Sequence, residues 1–412
     1  MRAPALRPLA AAALALLGLA AAPAHAQTVR PVPAALAFLD LAPAPAALGF
    51  GDATVALPTA DAQVALANPA LLGLVGRDLT AATSAGPGTA DWRGYGDITL
   101  RGVAQMVGAS VRPFGMPLSV GASYTRAAMG YGTQTIAGTE ATYRPTDRYD
   151  ALSLGAATTG AVRVAFGATG RYVSSTDRAV ARDDGAADVN AVRGVTMDLG
   201  VAVSADAMQL AGRPQFTLPV VGRLRPALEA TVGYTQAHLG GRVRYTGGDW
   251  LPLPRTARAG WSVTAGIDRP LGDAGTLRLV SLDLARQAES RLVHETPEGY
   301  GYSILTGDMG AADALLGRGD ALVTGRRGLR VALLETVALS YGVFGGGGFD
   351  NQRAHAVELR LAGPLKAAAA LTGNDALART ARRLDLRWTR ATTFVGTPNE
   401  TTVSGFSLVV RR

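Results

Sequence analysis

Apolar and small polar residues alternate along most of this chain. That two-residue period constrains the fold more than any other feature, because it sends every second side chain to the same side of a strand. The clearest run sets Val195, Met197, Leu199, Val201 and Val203 against Thr196, Asp198, Gly200, Ala202 and Ser204. Val120, Ala122 and Tyr124 alternate likewise with Gly121, Ser123 and Thr125, and Val162, Val164 and Phe166 with Arg163, Ala165 and Gly167. Leu228, Val232 and Tyr234 oppose Glu229, Thr231 and Gly233, while Trp261, Val263 and Ile267 oppose Ser262, Thr264 and Asp268. The theme continues through Leu282 and Leu284, Leu329 to Leu333, Val337 to Val343, Val357 to Leu361, Leu384 to Trp388 and Phe406 to Val410. With less regular segments near residues 79, 100 and 153, the pattern predicts an all-β, transmembrane antiparallel β-barrel of about 14 strands.

Composition decides which way the two faces point. Hydrophobic residues make up 48% of the chain, yet beyond residue 26 no run approaches the ~20 apolar residues a membrane helix needs. Dispersed apolar content suits a barrel in lipid, where only alternate residues meet the hydrocarbon. The opposite face is rich in Gly, Ser, Thr and Ala and poor in the long Lys and Glu chains of soluble surfaces. The apolar face is therefore expected in lipid and the small polar face in the lumen. A charge on the lipid face near the midplane costs about 2–4 kcal/mol, so Val201→Arg is expected to impair insertion and Ala202→Arg to be tolerated. The lumen-facing charges on this reading are Arg163, Asp198, Glu229, Asp268, Asp283, Arg286, Glu358, Arg360, Asp385 and Arg387. They line a selective path or grip a luminal element, or else neutralise one another in pairs.

Residues 1–26 have the parts of a signal peptide: Arg2 and Arg7, an apolar run from Leu9 to Ala22, and Ala24-His25-Ala26. The absence of Cys excludes disulfides, thiolate metal sites and a lipid-modified Cys. A net charge of +8, scattered along the chain, argues against nucleic acid as a partner. The expected organisation is a signal peptide over 1–26, an N-terminal extension and plug over 27–76, and a barrel over 77–412, in the bacterial outer membrane with its lipid as surroundings. Residues 127–147, 174–192, 240–255 and 294–327 are too long for tight hairpins and are assigned to rim loops, with short helices expected in 308–317 and 367–381. Chemistry is sparse. His238, His294 and His355 lie far apart in sequence and are expected on loops or the rim, neither metal-ligand spacing nor a phosphate cradle is found, and Asp183, Asp184 and Asp188 read as a solvated acidic loop.

Leu36 to Leu72 breaks the alternation. Pro43, Pro45, Pro58 and Pro69 interrupt regular structure, Asp61 is placed to cap a helical turn through Leu66, and Asn68-Pro69 favours a bend. A compact apolar segment needs something to pack against, and the lumen of a barrel this size has room for it.

Phe38-Leu39-Asp40-Leu41, Ala47-Leu48-Gly49, the run from Asp52 to Leu57 and Asn68-Pro69-Ala70 resemble the opening of PorV/PorQ-like outer-membrane proteins, within the FadL-type transporters of hydrophobic compounds. Leu253-Pro254-Arg255-Thr256 leading to Ala259-Gly260-Trp261, and Gly328 to Leu334 followed by Val337 to Gly342, are similar in style. The chain departs from the family in Phe50 and Pro58, and in ending on Arg411-Arg412 where such barrels commonly end on an aromatic residue. The resemblance implies an N-terminal hatch inside a fourteen-stranded barrel, with Gly49, Gly51, Asp52, Asn68, Pro69 and Ala70 on the ligand path. It implies no cofactor and no enzymatic activity. Two roles follow from it: passage of hydrophobic small molecules past the hatch, or docking of exported protein partners in type IX-like secretion. The competing class, a structural or lipid-modifying enzymatic barrel, requires a His-centred cluster that the sequence does not present.

Overall fold

The computed structural model describes residues 35–41, 43–76, 81–86, 98–135, 142–181, 187–212, 214–218, 222–245, 250–297 and 299–411. The signal peptide and the Asp183-Asp184 pair lie outside these residues. Fourteen strands form the wall: β1 (Ala81–Ala85), β2 (Thr99–Val111), β3 (Leu118–Gly130), β4 (Thr146–Thr158), β5 (Val162–Ala181), β6 (Ala187–Asp206), β7 (Gly222–Leu239), β8 (Thr256–Pro270), β9 (Thr276–Arg291), β10 (Val323–Leu333), β11 (Val337–Gly346), β12 (Phe349–Arg360), β13 (Leu384–Thr393) and β14 (Thr401–Val410). Each pairs antiparallel with its sequence neighbours, and β1 closes the ring on β14 with Ala81 opposite Val410. Closure leaves no strand of the ring itself at an open edge. Among the described residues, no helix is long and apolar enough to cross a membrane.

The two ends of the ring differ. Connections at 112–117, 159–161, 271–275 and 334–336 are short, and the last of these turns on Leu334 and Glu335, both at positive φ, the geometry that suits the twist of a tight hairpin. Connections at the opposite end are mostly long. One of the expected rim loops, 174–192, is instead largely strand, because β5 and β6 stay paired well past Ser174 and Val192, and another is shortened where β3 runs on through Ala127 to Gly130. Their backbone groups find partners in each other, which extends the wall beyond the ring.

Helices decorate the frame: α1 (Pro45–Gly49) and α2 (Leu71–Val75) in the N-terminal segment, α3 (Ala207–Leu210), α4 (Ala311–Leu316), and the pair α5 (Ala362–Thr372) and α6 (Asp375–Arg383). The α5–α6 pair starts earlier and ends later than the sequence suggested. It lies at the short-turn end, where Lys366 Nζ donates to the Thr276 carbonyl (2.7 Å) and to Glu335 Oε2 (2.5 Å).

The alternation sets the faces. Leu152, Leu154, Phe166, Leu199 and Phe406 point outward and are exposed, while Ser153, Thr169, Asp198, Ser204 and Ser407 point inward and are buried. What the inward face meets is the N-terminal segment, and this changes one expectation. Ala202 is 1% exposed and packs with Ala62, Val64 and Leu71, so an arginine there displaces the segment. The lumen is also two-sided. Ala104, Met106, Ala157 and Val409 on β2, β4 and β14 bury apolar surface against the segment, whereas β8 to β13 carry most of the inward charges.

Candidate functional site

The site is built where the N-terminal segment meets a strip of the wall that has no side chains. Gly108, Gly121, Gly155, Gly167 and Gly200 stand opposite one another in successive register on β2, β3, β4, β5 and β6. Their missing Cβ atoms face the lumen, and the turn from Asn68 to Gly73 lies flat on the strip. A Cβ at Gly167 would sit 2.3 Å from the Pro69 carbonyl carbon, at Gly155 2.5 Å from the Pro69 oxygen, and at Gly121 2.6 Å from the Leu72 oxygen. Further glycines carry the contact round the ring. The backbone at Val55 rests on Gly233, the Phe50 ring on Gly328, and the amide of Gly51 on Gly342, while Gly49 itself is wedged against Ala356.

Asn68 pins the turn. It is wholly buried, its Nδ2 donates to the carbonyls of Val55 (2.9 Å), Val201 (3.1 Å) and Tyr234 (3.4 Å), and its Oδ1 accepts from the Ala70 amide (3.0 Å). One side chain thereby ties two parts of the segment to two adjacent strands. An amide does this uniquely well because it carries donors and an acceptor at once. Pro69 supplies backbone for the contact and Ala70 is fully buried. Elsewhere in the segment, Asp61 Oδ1 accepts from the Gln63 amide (2.9 Å) at the head of a short 3₁₀ turn over Val64–Leu66. Gln287 Oε1 holds the Val55 amide (3.0 Å), and Ser262 Oγ donates to the Ala56 carbonyl (2.6 Å). Asp52, at φ 56°, sits 3.6 Å from Arg326 Nη1.

The inward charges are paired. Arg163 bridges to Glu229 at 2.5 Å, Arg278 to Asp268 at 2.7 Å, Arg330 to Asp283 at 2.7 Å and Arg387 to Asp385 at 2.6 Å. Arg171 bonds Asp198, and Arg360 bonds Glu358. Arg286 is the exception to the sequence reading. It continues the outward series of Leu282 and Leu284, opposite Trp261, while Asp283, Ala285 and Gln287 face the lumen. Charge type suggested a luminal position, but the alternation within its own strand excludes it.

His238 corrects another expectation, since it lies neither in a loop nor on the rim. It is 1% exposed at a bulge where the β6–β7 register shifts, with φ 59°. Its amide donates to Asp198 Oδ1 (2.9 Å), and its ring nitrogens contact Arg171 Nη1 (2.8 Å) and the Pro254 carbonyl (2.9 Å). Above this network, Asp40 lies 3.6 Å from His238 and 3.8 Å from Arg291. Burial pushes the Asp40 carboxyl up to about 6, Glu289 adds to the rise, and Arg291, Arg258 and Arg326 oppose it. His294 lies beside Ser303 (3.3 Å) in the β9–β10 connection, and His355 faces outward. Among the described residues, no cluster of His, Cys, Asp or Glu is arranged to hold a metal ion.

Several members of these networks were missed in sequence. Arg171, Arg258, Glu289, Arg326 and Arg330 share the inward parity of the residues that were named, so extending each alternation by a few residues finds them. The glycine strip has no such signal, because its alignment depends on register between strands.

Outside the barrel, the other side of the same strip forms an open apolar concavity of about 690 Å³. Val107, Val120, Leu154 and Phe166 wall it, and Gly108, Gly121, Gly155 and Gly167 are its floor. One layer of backbone therefore separates this outward hollow from the Asn68–Gly73 turn.

No family model matches the chain, and no curated protein does. Solved structures of similar architecture include the Ralstonia pickettii toluene transporter TbuX, with 11% identity, a TM-score of 0.40 and coverage of 89% of this chain and 97% of that one. The CymD monoaromatic hydrocarbon channel matches with 11% identity, a TM-score of 0.39 and the same coverages. A Pseudomonas aeruginosa FadL homologue matches with 10% identity, a TM-score of 0.37, and coverage of 93% and 99%. Identity and superposition at this level carry no property of those proteins over to this chain.

Proposed function

We propose that the chain is a non-enzymatic outer-membrane barrel that passes small hydrophobic molecules, with the N-terminal segment as a hatch. The observation that carries this reading is the apolar hollow on the outward wall, backed by glycine alone where the Asn68–Gly73 turn seats inside. A molecule leaving the apolar side of the lumen for the bilayer meets less wall there than elsewhere, since no side chains stand between turn and floor. Gly49, Gly51, Asp52, Asn68, Pro69 and Ala70 are the hatch residues that must shift, while Asp40 beside His238 and Arg291 ties the start of the segment to the wall. Protein docking in type IX-like secretion, the other role implied by the resemblance, is supported by the N-terminal residues alone.

The test is uptake of a radiolabelled monoaromatic hydrocarbon into proteoliposomes. Uptake above that of empty vesicles is expected, together with a loss of at least half per inserted molecule on Phe166→Ser, which polarises the hollow without placing a charge on the outward face. Uptake equal to that of empty vesicles overturns the proposal.

A further inference from the structure

The outward face carries a second chemistry at the long-loop end. Arg286 on β9 stands opposite Arg327 on β10, which stands opposite Val343 on β11 and then Arg353 on β12. All three continue outward series, so one transverse row presents three arginines on the outer face, Arg327 and Arg353 exposed and Arg286 partly so. Neither Arg286 nor Arg327 has a carboxylate ion pair among the described residues, although the inward arginines two rows away are paired. The outward positions of β8 to β14 include Leu, Val, Trp, Tyr, Thr, Ser and Arg but no Asp or Glu.

Like charges opposite one another on a sheet repel, and an unpaired cation on a lipid-facing wall is costly. An anion between them removes both penalties. The site has walls as well as charge. The β9–β10 connection folds down over the outside of the ring, held by Trp261 Nε1 to the Leu315 carbonyl (2.7 Å), Tyr234 Oη to the Leu305 carbonyl (2.7 Å) and Arg327 Nε to the Gly317 carbonyl (3.1 Å). That shelf leaves Ile304, Leu315 and Leu316 exposed above the arginines. Toward the midplane, Leu284 and Leu329 begin a bare apolar wall.

We propose that this row binds the phosphoryl headgroup of an outer-leaflet glycolipid of the lipid A type, with its acyl chains on the wall below. Charge complementarity selects the ligand. Long loops mark the outer side of such barrels, paired guanidinium forks suit phosphate, and apolar surface continues directly from the arginines to where acyl chains lie. The proposal rests on the outer-membrane reading of the chain.

The experiment measures binding of bisphosphorylated lipid A to the full chain in detergent micelles by native mass spectrometry. Dephosphorylated lipid A and phosphatidylglycerol are run beside it. Bisphosphorylated lipid A is expected to bind best, and Arg286→Gln/Arg327→Gln is expected to weaken it about a hundredfold, roughly tenfold per charge-assisted contact. Arg101→Gln/Arg193→Gln, on β2 and β6 outside this row, is expected to stay within about twofold of wild type. Equal binding of dephosphorylated lipid A or of phosphatidylglycerol overturns the assignment, as does an unchanged Arg286/Arg327 variant. Should that variant not fold, the wild-type comparison of the three lipids decides alone. A chain that does not insert into bilayers refutes the membrane reading, whereas one that inserts and ignores lipid A refutes only this inference.

Discussion

Asn68→Asp changes one nitrogen to oxygen and leaves the shape of the side chain intact. In the native turn that nitrogen donates to the carbonyls of Val55 and Val201 at 2.9 and 3.1 Å, with Tyr234 at 3.4 Å. An ionised carboxylate turns an acceptor toward all three. Two buried hydrogen bonds are lost, and each carbonyl left unmet costs about 1–3 kcal/mol, so the seated turn is destabilised by roughly 2–6 kcal/mol. At about 1.4 kcal/mol per decade, the unseated population rises by about 30-fold to 10⁴-fold. The assay is hydrogen exchange at the Ala70 amide, which donates to Asn68 Oδ1 in the seated turn. Its protection should fall by that factor at pH 7, and part of it should return at acid pH, where a protonated Asp regains one donor. Gly200→Ala attacks the contact from the wall, since its Cβ would lie 2.0 Å from Asn68 Oδ1. The double variant should therefore lose little more than either single one. Ala70 protection within about twofold of wild type in Asn68→Asp would refute the claim that this side chain pins the turn.

Other outcomes follow from the same geometry. Val201→Arg puts a charge on the outward face at a cost of about 2–4 kcal/mol and should reduce the heat-modifiable, bilayer-inserted fraction on gels. Ala202→Arg should leave insertion intact but expose the segment to limited proteolysis, because Ala202 is buried against it. Asp40 carries a pH dependence. Its carboxyl is raised to about 6 in the seated segment by burial and Glu289, so the seated state binds more protons than the free one between the ordinary carboxylate range and about 6. Seating is then strengthened as pH falls through that window and weakened above it, and exchange protection near Leu41 should drop from pH 5 to pH 7. Asp40→Asn should flatten that profile, even with His238, Arg258, Arg291 and Arg326 still facing the site.

The wall was legible because β-alternation is a local signal: Val195 to Ser204 alone fixes which side of β6 faces lipid. Strand number followed from repeating that reading. The lengths of β5 and β6 beyond the ring did not, since polar residues such as Ser174, Ser175 and Asn190 pair as strands only because each has the other strand beside it. Luminal charge was readable, but its partners were not: Arg163 meets Glu229 across 66 residues of sequence. Arg286 shows the limit of reasoning from residue type. Its charge suggested the lumen, and only its place after Leu282 and Leu284 puts it outside.

The N-terminal segment follows a definite route. Residues Pro43 and Pro45 lie against Gly102 on β2 and Gly405 on β14, Gly49 and Gly51 against β12 and β11, Phe50 against β10, Val55 against β9 and β7, Asn68 against β6, and Pro69 and Leu72 against β5, β4 and β3. It thus makes a circuit of the interior in the opposite sense to the strand order. A tether of fixed length that must reach each of these footholds acts as a gauge of circumference. A ring with one strand too few would leave it slack, and one with a strand too many would leave it short. Because each foothold lies on a different strand, the segment is fully seated only in a ring of the right size.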